Sequence, residues 1–252
     1  MTETDNSQSK LSNTQNSIFN KSLLNKQLII TTIILFASMF LFEMTNIDLI
    51  IQEYFYDFKL NEWIISRDNA ILKLIFYDGI KIFLIVFAVA ILIVLISCRK
   101  KQFIQNYKKG LLIVVISAVA VPSIIGGLKM LTNTPCPKNI INFNGCYPYV
   151  KVFTPYPPDF HQKEKIECFP AGHASGGFAL LSMFFLFKKS RNRKTALLSA
   201  IVVGWSMGIY KMLIGDHFLS HTVITMILSW LTILIVVRFV VSYPFIKQHN
   251  LN

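Results

Sequence analysis

Residues 75–97 read IFYDGIKIFLIVFAVAILIVLIS and decide the class of fold, because only Asp78 and Lys81 interrupt a long apolar run. A helix needs about 20 mostly apolar residues to cross the hydrocarbon core of a bilayer. Five further runs have this character, over residues 28–44, 110–131, 169–187, 196–213 and 218–237. The sequence therefore predicts an all-α polytopic membrane protein with six transmembrane helices.

The composition of the 252-residue chain agrees with this fold class. Hydrophobic residues make up 53% and charged residues 15%, with a mean hydropathy of +0.51. Soluble domains carry about 25% charged residues, so the composition argues against a water-soluble enzyme. The 21 Phe, 9 Tyr and 3 Trp residues also exclude a disordered chain.

The net charge of +12 is distributed asymmetrically across the predicted membrane. With the N-terminus taken as cytoplasmic, one side receives 15 basic residues and only Glu3 and Asp5 as acids, and the other side receives 10 basic and 11 acidic residues. The positive-inside bias then predicts cytoplasmic termini and outer segments 45–74, 132–168 and 212–217. Because the basic residues lie in short loops at span ends, we expect no binding to nucleic acid.

The predicted domain organisation is one membrane domain between two short tails. Residues 1–24, whose first part is rich in Asn, Gln, Ser and Thr, are expected to be a disordered cytoplasmic tail, and residues 241–252 a second cytoplasmic tail. Residues 25–240 form the membrane domain, whose first span is predicted to be an uncleaved anchor because no A-x-A-like site follows it. The acidic and aromatic segment 45–74 is expected to be an interfacial amphipathic stretch or part of a lipid-entry wall.

Three polar clusters lie at the predicted outer, periplasmic ends of spans 3 to 6. They read KMLTNTPCP over residues 129–137, CFPAGHASGG over residues 168–177 and KMLIGDHFLSH over residues 211–221. Ionisable groups near membrane depth usually mark function. Two histidines can serve as nucleophile and acid–base group, lysines can hold an anion, and a helix N-terminus favours phosphate. Together the clusters predict a phosphate-ester site, although each one alone also has a structural explanation.

The clusters resemble the three motifs of the type 2 phosphatidic acid phosphatase superfamily, K-x6-R-P, P-S-G-H and S-R-x5-H-x3-D. The first motif begins at Lys129, and the second corresponds to residues 170–173 with Ala in place of Ser. The third motif carries Lys211, His217 and His221 at the family's intervals. The order, spacing and span placement of all three motifs are therefore kept.

The resemblance, which covers residues 75–237, implies a role for each matching position. His217 would attack phosphorus and form a phosphohistidine, and His173 would protonate the leaving group and later activate water. Lys129, Lys211 and the Gly172 N–H group would hold the phosphoryl oxygens. This route uses no metal and no other cofactor, so none is expected.

Three positions depart from the family pattern. Cys136 stands at the arginine of the first motif and Lys211 at the arginine of the third, so two bidentate guanidinium groups are lost. Lys138 is a candidate for replacing one of them. His221 stands at the aspartate that would orient the nucleophile, and as a neutral imidazole one helical turn after His217 it can still accept a hydrogen bond.

Three of the four cysteines fall in the second outer segment. A Cys136–Cys168 disulfide would join the first motif to the second, and Cys146 competes for either partner, because spacing does not fix the pairing. Cys98 lies at the inner face and is expected to be a reduced thiol. The Tyr- and Pro-rich stretch 147–158 is expected to be extended and either to cover the site or to form a simple surface loop.

The sequence thus predicts a metal-independent membrane phosphohydrolase of a bacterial inner membrane. Its substrate would be a phosphorylated envelope lipid, such as lipid A, undecaprenyl pyrophosphate or a phosphatidic acid-type glycerolipid, with lipid A favoured. The alternatives are a lipid-to-lipid phosphotransferase, a non-catalytic lipid-binding relative, and a metal-dependent hydrolase that uses His217 and His221 as ligands. The expected partners are the lipid and the bilayer, and the oligomeric state stays open.

Overall fold

A computed structural model describes residues 19–242, which are mainly helical. Both tails fall largely outside this range, since residues 1–18 and 243–252 are not described. The α-helices are α1 (Lys21–Met44), α2 (Ile47–Glu53), α3 (Ala70–Lys73), α4 (Ile80–Ser97), α5 (Gln102–Leu131), α6 (Gly172–Ala179), α7 (Ser190–Leu213) and α8 (Leu219–Ser242). Shorter elements are a π-helical turn (Leu74–Gly79), 3₁₀ segments (Pro137–Asn139, Ile141–Phe143, Leu180–Phe185) and an antiparallel hairpin of β1 (Tyr56–Asp57) and β2 (Glu62–Trp63).

Five helical stretches within residues 19–242 are long and apolar enough to cross a membrane: Lys21–Met44, Ala70–Ser97, Gln102–Leu131, Ser190–Leu213 and Leu219–Ser242. They correspond to five of the six predicted spans. The remaining one, over residues 169–187, is shorter and irregular, because the eight residues of α6 pass directly into the six-residue 3₁₀ segment Leu180–Phe185. Rises of about 1.5 and 2.0 Å per residue make this segment only about 24 Å long.

The short segment lies inside the helix bundle. Ala174 and Phe178 are buried in the core, and a Cβ atom on Gly177 would lie 2.7 Å from the Cα atom of Gly204. Helices α6 and α7 can therefore approach each other closely only because glycine occupies both positions. This contact places the first turn of α6 against the end of α7 and the start of α8, where the site residues lie.

Helix α8 lies at the centre of the bundle, and helix α4 lies at its surface. The buried residues of α8 include Ile233, Leu234 and Val237, which pack in one cluster with side chains of α1, α5 and α6. No residue of α4 is buried, and its Phe83 side chain is 62% exposed. An apolar helix that is exposed on this scale fits contact with lipid chains rather than with water.

The segment 45–74 packs on the third polar cluster. Gln52 donates to the carbonyl of Met212 at 2.8 Å, and the indole of Trp63 lies against Gly215. Tyr56 is only 6% exposed, in an aromatic cluster with Trp63 and Phe143. Neighbouring protein side chains therefore cover the ring of Tyr56.

Asp48 caps the N-terminus of α8 from this same segment. Its Oδ1 atom accepts a hydrogen bond from the N–H group of Ser220 at 2.8 Å. Burial raises the pKa of the Asp48 carboxyl group from 3.8 to about 6, although the hydrogen bonds with Ser220 favour the charged form. The folded protein therefore binds this proton more tightly than the unfolded chain does.

Replacement of this carboxylate, Asp48→Asn, is expected to stabilise the protein at pH 8. The folded pKa exceeds the unfolded one, so the stability linked to Asp48 is present below pH 4 and is lost as the pH rises to about 6. The loss amounts to about 3 kcal/mol at alkaline pH. Asparagine keeps the acceptor oxygen and carries no charge. The thermal midpoint in detergent should rise at pH 8 and change little at pH 4.

The control for this prediction is Asp159→Asn, at an exposed carboxylate between α5 and α6. Any change that Asp159→Asn makes in the thermal midpoint should be the same at pH 4 and at pH 8. A lower midpoint for Asp48→Asn at pH 8 would contradict the prediction and show that the charged cap stabilises α8.

Candidate active site

The three polar clusters meet at one end of the bundle. Lys129 lies in the last turn of α5, His173 in the first turn of α6, Lys211 in the last turn of α7, and His221 in the first turn of α8. His217 lies in the turn between α7 and α8, and the ring centroids of His173 and His217 are 6.4 Å apart. Residues that are far apart in the sequence are thus brought together as the motif spacing predicts.

The start of α6 is fixed by side chains and leaves room beside it. The Ala171 N–H group donates to Thr225 Oγ1 at 2.8 Å, and Ser175 Oγ donates to the Gly172 carbonyl at 2.6 Å. A Cβ atom on Gly172 would meet only Lys129 Cδ, at 3.9 Å. There is therefore open space beside the Cα atom of Gly172, next to the stem of Lys129, the lysine predicted to share a ligand with the Gly172 N–H group.

A tight turn positions His217. The N–H groups of Asp216 and His217 both donate to the Lys211 carbonyl, at 2.8 and 3.2 Å. Gly215 has φ +71°, and any Cβ atom there would lie 2.3 Å from the Trp63 indole. Only glycine fits this position for both reasons.

His217 is hydrogen-bonded to His221, as the four-residue spacing predicts. Their Nδ1 atoms are 3.3 Å apart, so one nitrogen donates and the other accepts. In the tautomer where His217 Nδ1–H is the donor, its Nε2 atom carries a free lone pair. The ring of His221 packs against those of Phe169 and Phe218, each with a centroid distance of 5.4 Å, and its carbonyl accepts a hydrogen bond from the Ala171 N–H group.

His217 is uncharged at neutral pH. Its burial lowers its pKa well below the ordinary value of 6.5, and the neighbouring His221 and His173 lower it further. A neutral imidazole is the form that can act as a nucleophile. For the alternative of a metal pair, residues 19–242 contain no group of three or more His, Cys, Asp and Glu side chains placed to hold an ion.

Asp216 is the centre of a group of cations. Its carboxylate binds Lys211 Nζ and Lys138 Nζ, each at 2.9 Å, and the guanidinium of Arg67. Burial by itself would raise the pKa of Asp216, but Lys211 and then Lys138 outweigh that effect and hold the pKa well below its usual range. Asp216 is thus an anionic partner of these cations, and it makes no hydrogen bond to the ring of His217 among those found in residues 19–242.

Arg67 and Tyr77 are the two site residues that the sequence analysis missed. Tyr77 Oη lies 2.9 Å from His173 Nε2, and Lys211 Nζ lies 4.4 Å from the centroid of the Tyr77 ring. Tyr77 belongs to the π-helical turn before α4, and such turns are frequent at functional sites. Its signal was the polar pair Tyr77–Asp78 within an apolar run, whereas no local pattern marks Arg67.

A disulfide joins the first polar cluster to the second. The structure pairs Cys136 with Cys168, with Cα atoms 5.3 Å apart, and leaves Cys146 as an exposed free thiol. Tyr147 and Tyr156, from the Tyr- and Pro-rich stretch, pack over the bond. This stretch therefore covers the link between the two clusters.

Apolar helices, two neighbouring buried histidines and several cations around one carboxylate define a helical membrane protein with a polar cluster at one end of its bundle. Residues 107–243 match the family model of the PAP2 superfamily, and the chain belongs to this superfamily. The resemblance inferred from the three motifs is thereby confirmed.

A curated relative is also similar to the chain. It is the lipid A 4'-phosphatase of Francisella tularensis subsp. novicida (strain U112), which is 26% identical over 191 residues, covering 75% of this chain and 83% of the relative. No solved structure matches the chain.

Proposed function

We propose that the protein is a membrane phosphohydrolase that removes phosphate from a phosphorylated lipid through a phosphohistidine intermediate. The observation that carries the proposal is the position of His217, buried, neutral and hydrogen-bonded to His221, with its ring centroid 6.4 Å from that of His173. Membership in the PAP2 superfamily and the similarity to a lipid A 4'-phosphatase support it.

In the first step, Lys129, Lys211 and the Gly172 N–H group hold the phosphoryl oxygens while the His217 Nε2 lone pair attacks phosphorus. A nitrogen–phosphorus bond forms and the bond from phosphorus to the lipid oxygen breaks. His173 must carry a proton in this step, a form that the negative charge of the bound phosphate favours, and it donates that proton to the lipid oxygen. The lipid leaves as an alcohol, or as a monophosphate when the substrate is a pyrophosphate.

In the second step, His173 is neutral and removes a proton from water. The water oxygen attacks phosphorus, the nitrogen–phosphorus bond breaks, and inorganic phosphate leaves with His217 restored. His221 accepts the hydrogen bond from His217 Nδ1 in both steps and stabilises the positive imidazole of the intermediate. A neutral acceptor does this less strongly than the carboxylate of the family pattern would.

The proposed substrate is an envelope lipid with a phosphate monoester, with lipid A favoured over undecaprenyl pyrophosphate and phosphatidic acid-type lipids. The lipid A 4'-phosphatase relative supports this order. We further propose that the short segment from α6 to Phe185 crosses the inner membrane as a sixth span, with cytoplasmic termini and an outward-facing site. The charge asymmetry supports this orientation, as does the Cys136–Cys168 disulfide, since disulfides persist in oxidising compartments.

Phosphate release from a panel of phosphorylated lipids tests the proposal. Purified protein in detergent should release inorganic phosphate from at least one lipid, and EDTA should not change the rate. Loss of release in EDTA would contradict the metal-independent route. If phosphate instead appears on an added acceptor lipid, the protein is a phosphotransferase, and if it leaves no lipid at all, the hydrolase proposal is wrong.

A further inference from the structure

We propose that Arg67 and Lys138 form, together with Lys211, a second set of phosphate ligands in the active site, which Asp216 holds in position. The inference rests on the proposed function and adds two residues to its substrate site. It explains how a chain that lacks both motif arginines can still bind a doubly charged phosphate monoester.

The three cations come from three separate parts of the chain and meet on one carboxylate. Lys138 Nζ and the Arg67 guanidinium bind Asp216 Oδ1, and Lys211 Nζ binds Asp216 Oδ2. Their side chains are 49% exposed for Arg67, 33% for Lys138 and 11% for Lys211. The group thus runs from the outer surface inward to the lysine beside the catalytic residues.

The charge of this group is far from balanced. Three cations face one carboxylate, so two positive charges remain without an anionic partner in the group. A guanidinium has five N–H donors and each ammonium has three, whereas a carboxylate offers about four acceptor positions. Most of the donors are therefore still available for the oxygens of a phosphate dianion.

Arg67 belongs to the segment 45–74, which packs on the turn that carries Asp216. Trp63 packs on Gly215, and Gln52 donates to the Met212 carbonyl at 2.8 Å. These contacts fix the segment against the loop that carries Asp216 and His217. A guanidinium from outside the motifs is thus held where it can give the bidentate contact that Lys211, a point charge, cannot give.

The group of three cations is also linked to His173, the proposed acid–base residue, through Tyr77. Lys211 Nζ lies over the ring of Tyr77, whose hydroxyl is 2.9 Å from His173 Nε2. A phosphate bound by Lys211 would therefore lie close to His173, while Arg67 and Lys138 approach the same anion from the more exposed side.

The test measures binding of inorganic phosphate to the full-length protein carrying His217→Asn, so that no covalent chemistry interferes. Adding Arg67→Gln should weaken phosphate binding about tenfold or more at fixed ionic strength, since hydrogen bonds to charged groups have this magnitude. Arg67→Lys should bind phosphate more weakly than the protein that keeps Arg67 and more tightly than Arg67→Gln. The matched control is Lys73→Gln, which removes an exposed positive charge from the neighbouring helix α3 and should change binding less than twofold.

Lys138→Gln is the second variant, and it should also weaken phosphate binding. It keeps the inference testable if Arg67→Gln does not fold. Asp216→Asn should weaken binding too, although it removes a negative charge, because the three cations then repel one another. Unchanged binding in folded Arg67→Gln and Lys138→Gln would overturn the inference, and tighter binding in Asp216→Asn would overturn the role given to Asp216. Because this assay needs no turnover, its result is separate from the lipid panel that tests the proposed function.

Discussion

His217→Asn is expected to abolish phosphate release from the lipid substrate, by a factor on the order of 10⁴ or more. Asparagine fits the buried site and can still donate a hydrogen bond to His221, but an amide nitrogen has no lone pair available for attack on phosphorus. The variant should therefore bind substrate and form no covalent intermediate. Both the rate of phosphate release and the amount of labelled phosphate on the protein should be measured.

The labelled protein must be quenched in alkali, because a phosphorus–nitrogen bond to imidazole is labile in acid. Wild-type protein should retain label under alkaline quench and lose it in acid. His161→Asn is the control, since His161 is an exposed histidine between α5 and α6 and its replacement should change neither the rate of phosphate release nor the amount of label. If His217→Asn kept more than about one per cent of the activity, His217 could not be the nucleophile.

His173→Gln is expected to slow lipid hydrolysis by about 10²- to 10⁴-fold, the usual range for loss of acid–base catalysis. Glutamine can keep a hydrogen bond to Tyr77 but cannot transfer a proton at neutral pH. An activated aryl phosphate, whose phenolate leaves without protonation, should restore the first step but not the second. The variant should then accumulate phosphohistidine on the aryl substrate, visible as a burst of phenolate followed by slow turnover.

The burst separates a catalytic role for His173 from a structural one. A misplaced site would slow the first step equally for lipid and aryl phosphate, and no intermediate would build up. Wild-type protein with the same two substrates provides the comparison. Equal losses on both substrates would therefore remove His173 from the mechanism.

Hydropathy predicted the long helices well because apolar length is a property of a single segment. The stretch at 75–97 lies within one continuous helical region, as its composition indicates. Residues 169–187 form a shorter and less regular helical segment than hydropathy predicted, because the helix tightens into a 3₁₀ segment at Leu180. That change accompanies the close contact between Gly177 and Gly204. A contact between two helices cannot be predicted from the hydropathy of either helix alone.

The motif spacing predicted which histidines and lysines meet, because each motif fixes a residue relative to a helix end. It did not predict Arg67, which reaches Asp216 from 149 residues away in the chain. It did not predict the contact between Tyr77 and His173 either, since that depends on how a π-helical turn rotates the side chain. Lys138 was suggested by its position two residues after Cys136, and the structure places its Nζ atom 2.9 Å from Asp216.

The bond between Cys136 and Cys168 has a consequence for the timing of assembly. Phe169 follows Cys168 in the chain and packs its ring on that of His221, so the bond joins the first polar cluster to the surroundings of His221. Thiols pair in this way only after they leave a reducing environment. A newly made chain in which these two thiols are still reduced therefore lacks this link between the polar clusters. Assembly of the proposed site would then be completed by oxidation, as a step separate from the packing of the helices.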